Sequence, residues 1–237
     1  MEEDGGRFVY VLQGGLQAWQ QAGYPRVTIQ SDQEAESGLA PTVTITTASA
    51  AANSTATHTH TFLPGLVENY VNKQSLPTQK ELTILFVDIA DSTTTVVGKS
   101  PEEALEFVQR FMGIVTDAAL AYCGDVKDYE GDGALLYFES VAEAAQAALS
   151  IRDTLARQQA EGQTPLHARF SLSVGDIVIG VIGTPLRRSV ALNGPSINLA
   201  ARLLKQIPPG GIIATKSVVE HLHQEAPPLA ERFALWN

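Results

Sequence analysis

The stretch DVKDYEGDGALLYF, residues 125–138, decides how this chain is read. DVKDY and ALLYF flank the turn EGDG, so the segment reads as a β-hairpin carrying an acid, Asp132, at its tip. Gly131 and Gly133 on either side let the backbone come close to another group. Upstream, LTILFVD (82–88) is apolar as far as Asp88 and reads as a buried strand that ends in the polar loop IADSTTT. A carboxylate beside a core is costly without a partner. With strand 82–88 next to the hairpin, Asp88 and Asp132 converge at one end of a sheet. Two hard oxygen ligands beside a loop of backbone amides suit Mg²⁺ or Mn²⁺ with a triphosphate. Taken singly, each acid reads more readily as a turn cap.

Working outward, Ser100-Pro101-Glu102-Glu103 is a helix start, with a Ser N-cap, Pro at the first position and Glu three after the cap. Apolar residues keep helical spacing from Ala104 to Ala118. Ser140 with Glu143 opens an Ala-rich helix to about Ala160. Strands fit 168–174, 177–183 and 188–192, a helix fits Pro195 to Lys205, and GGIIAT reads as the last strand. The order β-α-β-β-α-β predicts an α+β, ferredoxin-like sandwich: an antiparallel sheet with helices on one face. In PSINLAARLLK, Asn198 and Arg202 are four apart and share one helix face, with Leu199, Leu203 and Leu204 turned to the core. Such a pair suits a ribose and a phosphate, and it is also what a solvated face looks like.

Residues 1–28 are too few to bury a core. RFVYVLQGGLQAWQQAGYPR (7–26) reads as a strand end, a Gly-Gly turn and a short helix, and it resembles the C-terminal end of a rhodanese domain, without an active-site cysteine loop. It is read as a remnant of an upstream domain. Residues 29–61 are dominated by Thr, Ala and Ser and read as a flexible linker, in which His58 and His60 are solvated bystanders. Residues 62–77 hold a lead-in helix, and 78–237 form the globular domain. Net charge is -10, which disfavours nucleic acid and anionic membranes as partners. No apolar run approaches the roughly 18 residues of a membrane span. A single cysteine, Cys123, excludes an internal disulfide framework and suits the cytoplasm.

FVDIADST, EGDGALLYF, SVGDIVIGVIG and NGPSINLAARL together resemble, in order and spacing, the class III adenylate/guanylate cyclases over about residues 62–222. The resemblance implies that Asp88 and Asp132 ligate two Mg²⁺ or Mn²⁺ ions, with the Ile89 carbonyl assisting. It implies that the loop Ala90, Asp91, Ser92 and Thr93 wraps the phosphates, that Asn198 positions the ribose and that Arg202 stabilises the α-phosphate in the transition state. A nucleoside triphosphate would yield its 3′,5′-cyclic nucleotide and pyrophosphate. Since the family draws the two sets from opposite subunits, a homodimer through the catalytic domains is implied.

The chain departs from the family at the base. The positions that face it are Asp128 and Ala191, where adenylate cyclases carry Lys and Asp or Thr. An ionised carboxylate only accepts hydrogen bonds, which suits guanine or cytosine donors better than adenine N1. Lys127 is adjacent, but on a regular strand it faces away from Asp128; a bulge would restore it. ATP leads on family frequency, with guanylate or pyrimidine cyclisation and a catalytically silent, regulatory or dimerising module as alternatives. A diguanylate-forming domain lacks its turn motif here. The chain also stops at FALWN, short of a final hairpin with a phosphate-contacting Lys, leaving Arg187 and Arg188 as the basic residues at hand.

Overall fold

The computed structural model describes residues 9–12, 27–29, 42–47, 56–59 and 76–236, apart from 93, 94, 96 and 185. Within them, β1 (Val9–Leu12), β2 (Val27–Ile29), β3 (Thr42–Thr47) and β4 (Ala56–Thr59) precede the domain built on β5 (Thr78–Ile89). There follow α1 (Pro101–Ala121), β6 (Asp125–Glu130), β7 (Gly133–Phe138), α2 (Val141–Ala160), β8 (Ala168–Thr184) and β9 (Arg187–Asn193). Next come α3 (Pro195–Leu204), β10 (Ile212–Thr215), α4 (Lys216–Glu225), α5 (Pro227–Ala230) and β11 (Phe233–Trp236).

One eight-stranded sheet runs β11-β1-β10-β8-β5-β7-β6, with β9 paired to β8. All its pairs are antiparallel except β10 with β8. Side chains alternate across β5. Leu85, Val87 and Ile89 enter the main core with Phe111, Val115, Leu149 and Ile151 of α1 and α2, and with Val218 and Leu222 of α4. Leu82 and Ile84 enter a second core with Leu135, Tyr137, Ile177, Ile179 and Ala200. Helix α3 is therefore the exception to the expected one-sided arrangement: it covers the opposite face. Asp88 continues the Leu82–Ile84 parity and so belongs to the α3 face.

The start of α1 is the capping box read from sequence: the Ser100 hydroxyl accepts from the Glu103 amide and the Glu103 carboxylate from the Ser100 amide. Three expectations change. The strands read as 168–174 and 177–183 are one 17-residue strand, β8, because Gly175 and Asp176 stay extended and paired to Leu82 and Glu81. GGIIAT is not the last strand, since α4, α5 and β11 follow it. Inside the segment read as a linker, β3 pairs with β2 and β4, in keeping with the β-branched residues of TVTITT. The lead-in helix before Lys73 and the helix within 13–26 lie outside the described residues.

Candidate active site

Strand register alone brings the two acids together. Asp88 lies opposite Gly133 across the β5–β7 ladder, and the Ile89 amide donates to the Asp132 carbonyl at 3.1 Å. A Cβ at position 133 would sit 2.9 Å from the Val87 carbonyl oxygen and 3.2 Å from Asp88 Oδ1, so only glycine admits this approach. Burial first, and then the Asp132 carboxylate, raise the Asp88 carboxyl above its ordinary value; Arg169 opposes the rise. Two carboxylates crowded at a half-buried strand end are a cost that a hard cation removes. The donor set therefore fits Mg²⁺ or Mn²⁺, although among the described residues no three His, Cys, Asp or Glu side chains cluster for a metal.

Beyond Ile89 the chain turns sharply. The Ala90 amide donates to the His167 carbonyl at 2.7 Å, Asp91 takes a positive φ of 57°, and its carbonyl accepts from the Thr95 amide at 3.1 Å. Ser92 is partly buried, while Thr93 lies outside the described residues. Arg169, opposite Asp88 on β8, donates to Asp91 Oδ1 at 3.1 Å. Sequence reading missed Arg169. The signal available was its place at the start of a strand read as a neighbour of the metal strand, but no period or spacing singles it out.

Asn198 and Arg202 stand together elsewhere. Ser171 and Ser173, both buried on β8, donate to the carbonyls of Ala200 and Ser196 at 2.8 Å each. These bonds fix α3 on the sheet with Leu203 buried and Asn198 and Arg202 exposed. Both line a groove of about 500 Å³ with Asp176, Ser196, Thr215 and Ser217. Neither Asp88 nor Asp132 lines it, so within one chain the acid pair and the Asn/Arg pair stand in different places.

The base positions differ from a regular strand. The β6–β7 register shifts between Val126, opposite Leu136, and Asp128, opposite Leu135, which leaves Lys127 as a bulge. Val126 keeps to the main core, Asp128 lies opposite Leu135 of the second core, and Lys127 reaches Asp128 in an ion pair. Only 7% of the Lys127 side chain is exposed, against 53% for Asp128. The alternation that predicts Lys127 facing away is thus broken at that residue. Ala191 sits on β9 opposite Gly180.

The model of the family described as adenylate and guanylate cyclase catalytic domain matches residues 75–234. The chain is 28% identical over 136 residues to Adenylate cyclase 1 of Rhizobium meliloti (strain 1021), covering 53% of this chain and 20% of that protein. It thus spans only about a fifth of that curated relative's length. The fold is similar to that of a bacterial light-regulated adenylyl cyclase, with a TM-score of 0.62 and 26% identity over 67% of this chain and 51% of the other. The guanylyl cyclase Cya2 shares the fold at a TM-score of 0.54 and 24% identity, over 61% of this chain and 79% of the other. No helix among the described residues is long and apolar enough to cross a membrane.

Proposed function

Because the chain belongs to the adenylate and guanylate cyclase catalytic domain family, we propose that it converts a nucleoside triphosphate, ATP first, into the 3′,5′-cyclic nucleotide and pyrophosphate. The observation that carries this reading is the Asp88–Asp132 pair, crowded at a strand end beside the Ala90–Asp91 turn and Arg169. In the reaction the ribose 3′-oxygen bonds to the α-phosphorus, the bond from that phosphorus to the bridging oxygen of the β-phosphate breaks, and the hydroxyl proton passes to solvent.

Asp88, Asp132 and the Ile89 carbonyl would hold two Mg²⁺ or Mn²⁺ ions, which supply positive charge against the triphosphate when bound. The loop Ala90 to Thr93 wraps the phosphates, with the Asp91 amide and those after it as donors because that of Ala90 is held by His167, and Arg169 adds a planar guanidinium that exchanges Asp91 for phosphate. Asn198 orients the ribose. Arg202 meets the charge that develops at the α-phosphate, where a donor is worth most because it acts in the transition state. The acids and the Asn/Arg pair line different places, so a whole site needs a second copy, and a head-to-tail homodimer has two. An intracellular triphosphate pool makes the cytoplasm the place of action.

Lys127 and Asp128 support ATP. A buried ammonium on the substrate-facing side offers the donor that adenine N1 requires, and the adjacent carboxylate accepts from the 6-amino group. Incubating the protein with Mn²⁺ and each of the four triphosphates should give one dominant cyclic product, cAMP. cGMP as the main product would overturn the base assignment. Nucleotide binding without any cyclic product would make the chain a silent regulatory module, and product unchanged in Asp88→Ala would sink the metal assignment.

A further inference from the structure

Strand β10 and the first half of β11 lie within the family-matched residues, yet the two strands do not pair with each other. A strand-wide slot separates them, and β1 fills it. Val9, Tyr10 and Val11 lie opposite Thr215, Ala214 and Ile213 on one side. Val9 to Leu12 lie opposite Trp236, Ala234 and their neighbours down to Phe233 on the other. Both ladders are antiparallel. β1 comes from well upstream of residues 75–234, so the catalytic sheet is completed by a strand from outside the family unit. Among the described residues, β1 is the only strand paired with β11.

The same strand reaches the groove that carries Asn198 and Arg202. Val9 is registered against Thr215, which lines that groove and stands at the N-cap of α4. The Thr215 hydroxyl is buried and finds no hydrogen-bond partner among the described residues, and the residue makes no side-chain cap. Its position is therefore set by main-chain ladders, with β1 on one side of β10 and β8 on the other.

We propose that residues 9–12 are an integral, cis-donated strand of the catalytic sheet, and that they couple whatever precedes them to the wall of the Asn198/Arg202 groove. Withdrawal of β1 leaves β11 without a partner and gives β10 an open edge, a state in which Thr215 and the first turn of α4 lose one of their two supports. The claim concerns strand pairing and stands apart from the chemistry assigned above.

The test uses the full chain and does not depend on turnover. In Val11→Pro the ring removes one ladder donor from a strand paired on both sides. Amide exchange at 233–236 and 213–217 should become at least tenfold faster, while 133–138 on the far side of the sheet stays as in the parent. Unchanged exchange at 233–236, or β1 amides in the parent exchanging as fast as an unstructured peptide, overturns the proposal. A second arm guards against a variant that fails to fold. On a Cys123→Ser background, Val11→Cys with Ala234→Cys places cysteines at directly opposed positions, within disulfide reach. That pair should oxidise readily, and Val11→Cys with Leu235→Cys, one residue out of register, should not. No disulfide in the registered pair, or equal yields in both, also overturns it.

Discussion

Replacing Asp132 with Asn should stabilise the metal-free protein while abolishing its response to Mn²⁺. Asn keeps the size and shape of the side chain and removes its charge. In the parent, burial and then Asp132 raise the Asp88 carboxyl, so the folded state holds the Asp88 proton to higher pH than the unfolded chain does. Stability from that proton is present at low pH and is lost as pH rises through the folded value. The variant keeps the loss due to burial and sheds the part due to Asp132. One pKa unit corresponds to about 1.4 kcal/mol, and solvent screening at this half-buried site holds the expected gain to roughly 1 kcal/mol at pH 7 to 8. For a domain of this size that is about 2–4 °C in Tm. The gain should fade as pH drops through the carboxylate range, because a protonated Asp88 no longer repels its neighbour. Added Mn²⁺ should raise the Tm of the parent, by about 2.7 kcal/mol of stability at a hundredfold excess over Kd, and leave the variant unmoved. Thermal melts at pH 4.5 and 7.5, with and without Mn²⁺, read all four quantities. A difference of equal size at both pH values would show that packing, not charge, is the cause. A Tm shift by Mn²⁺ in the variant equal to that of the parent would refute the two-acid site.

Gly133→Ala forces a Cβ against the Val87 carbonyl and Asp88 Oδ1, so Mn²⁺ affinity by calorimetry should fall about tenfold with the fold retained. Gly194→Ala meets the Asp176 carbonyl at 2.6 Å and Ile177 Cδ1 at 2.8 Å, so α3 must lift; a loss of about 1–3 kcal/mol in urea melts is expected. Arg169→Ala removes the one cation that holds the Asp88 carboxyl down, and the pH at which Mn²⁺ binding is half lost should move upward in a pH series of titrations. Mixing inactive Asp132→Asn with inactive Arg202→Ala chains should restore about a quarter of parental product formation, as half the dimers then carry one whole site of two. Zero recovery would argue against a shared site.

The legible parts of the fold were those whose signal is local. Ser100, Pro101 and Glu103 announce a helix by chemistry confined to one turn, and the β5 run and the 125–138 hairpin announce themselves by pattern. The Asp88–Asp132 pairing was legible too, because one strand and one tight turn decide it. What escaped the sequence depends on register. Gly175 and Asp176 look like a break between two strands, yet pairing to Leu82 and Glu81 carries β8 through them. The face that α3 covers is set by Ser171 and Ser173, whose buried hydroxyls look like any polar residues on a strand. Arg169 gains its meaning from a neighbour 78 positions away in the sequence, Asp91 in the loop after β5. The pairing of Val9–Leu12 with residues above 212 has no local signal at all.

The bulge at Lys127 gives this site an unusual evolutionary handle. The bulge is one extra residue in the edge strand β6, so deletion of Lys127 alone would close the β6–β7 ladder with Val126 still in the core and Asp128 still opposite Leu135. The cation at the proposed base pocket would vanish and the carboxylate would stay. In this lineage a change of nucleobase preference would need no substitution of a recognising residue: the loss or gain of a single codon would reverse the polarity of the pocket while every other register in the sheet stayed where it is.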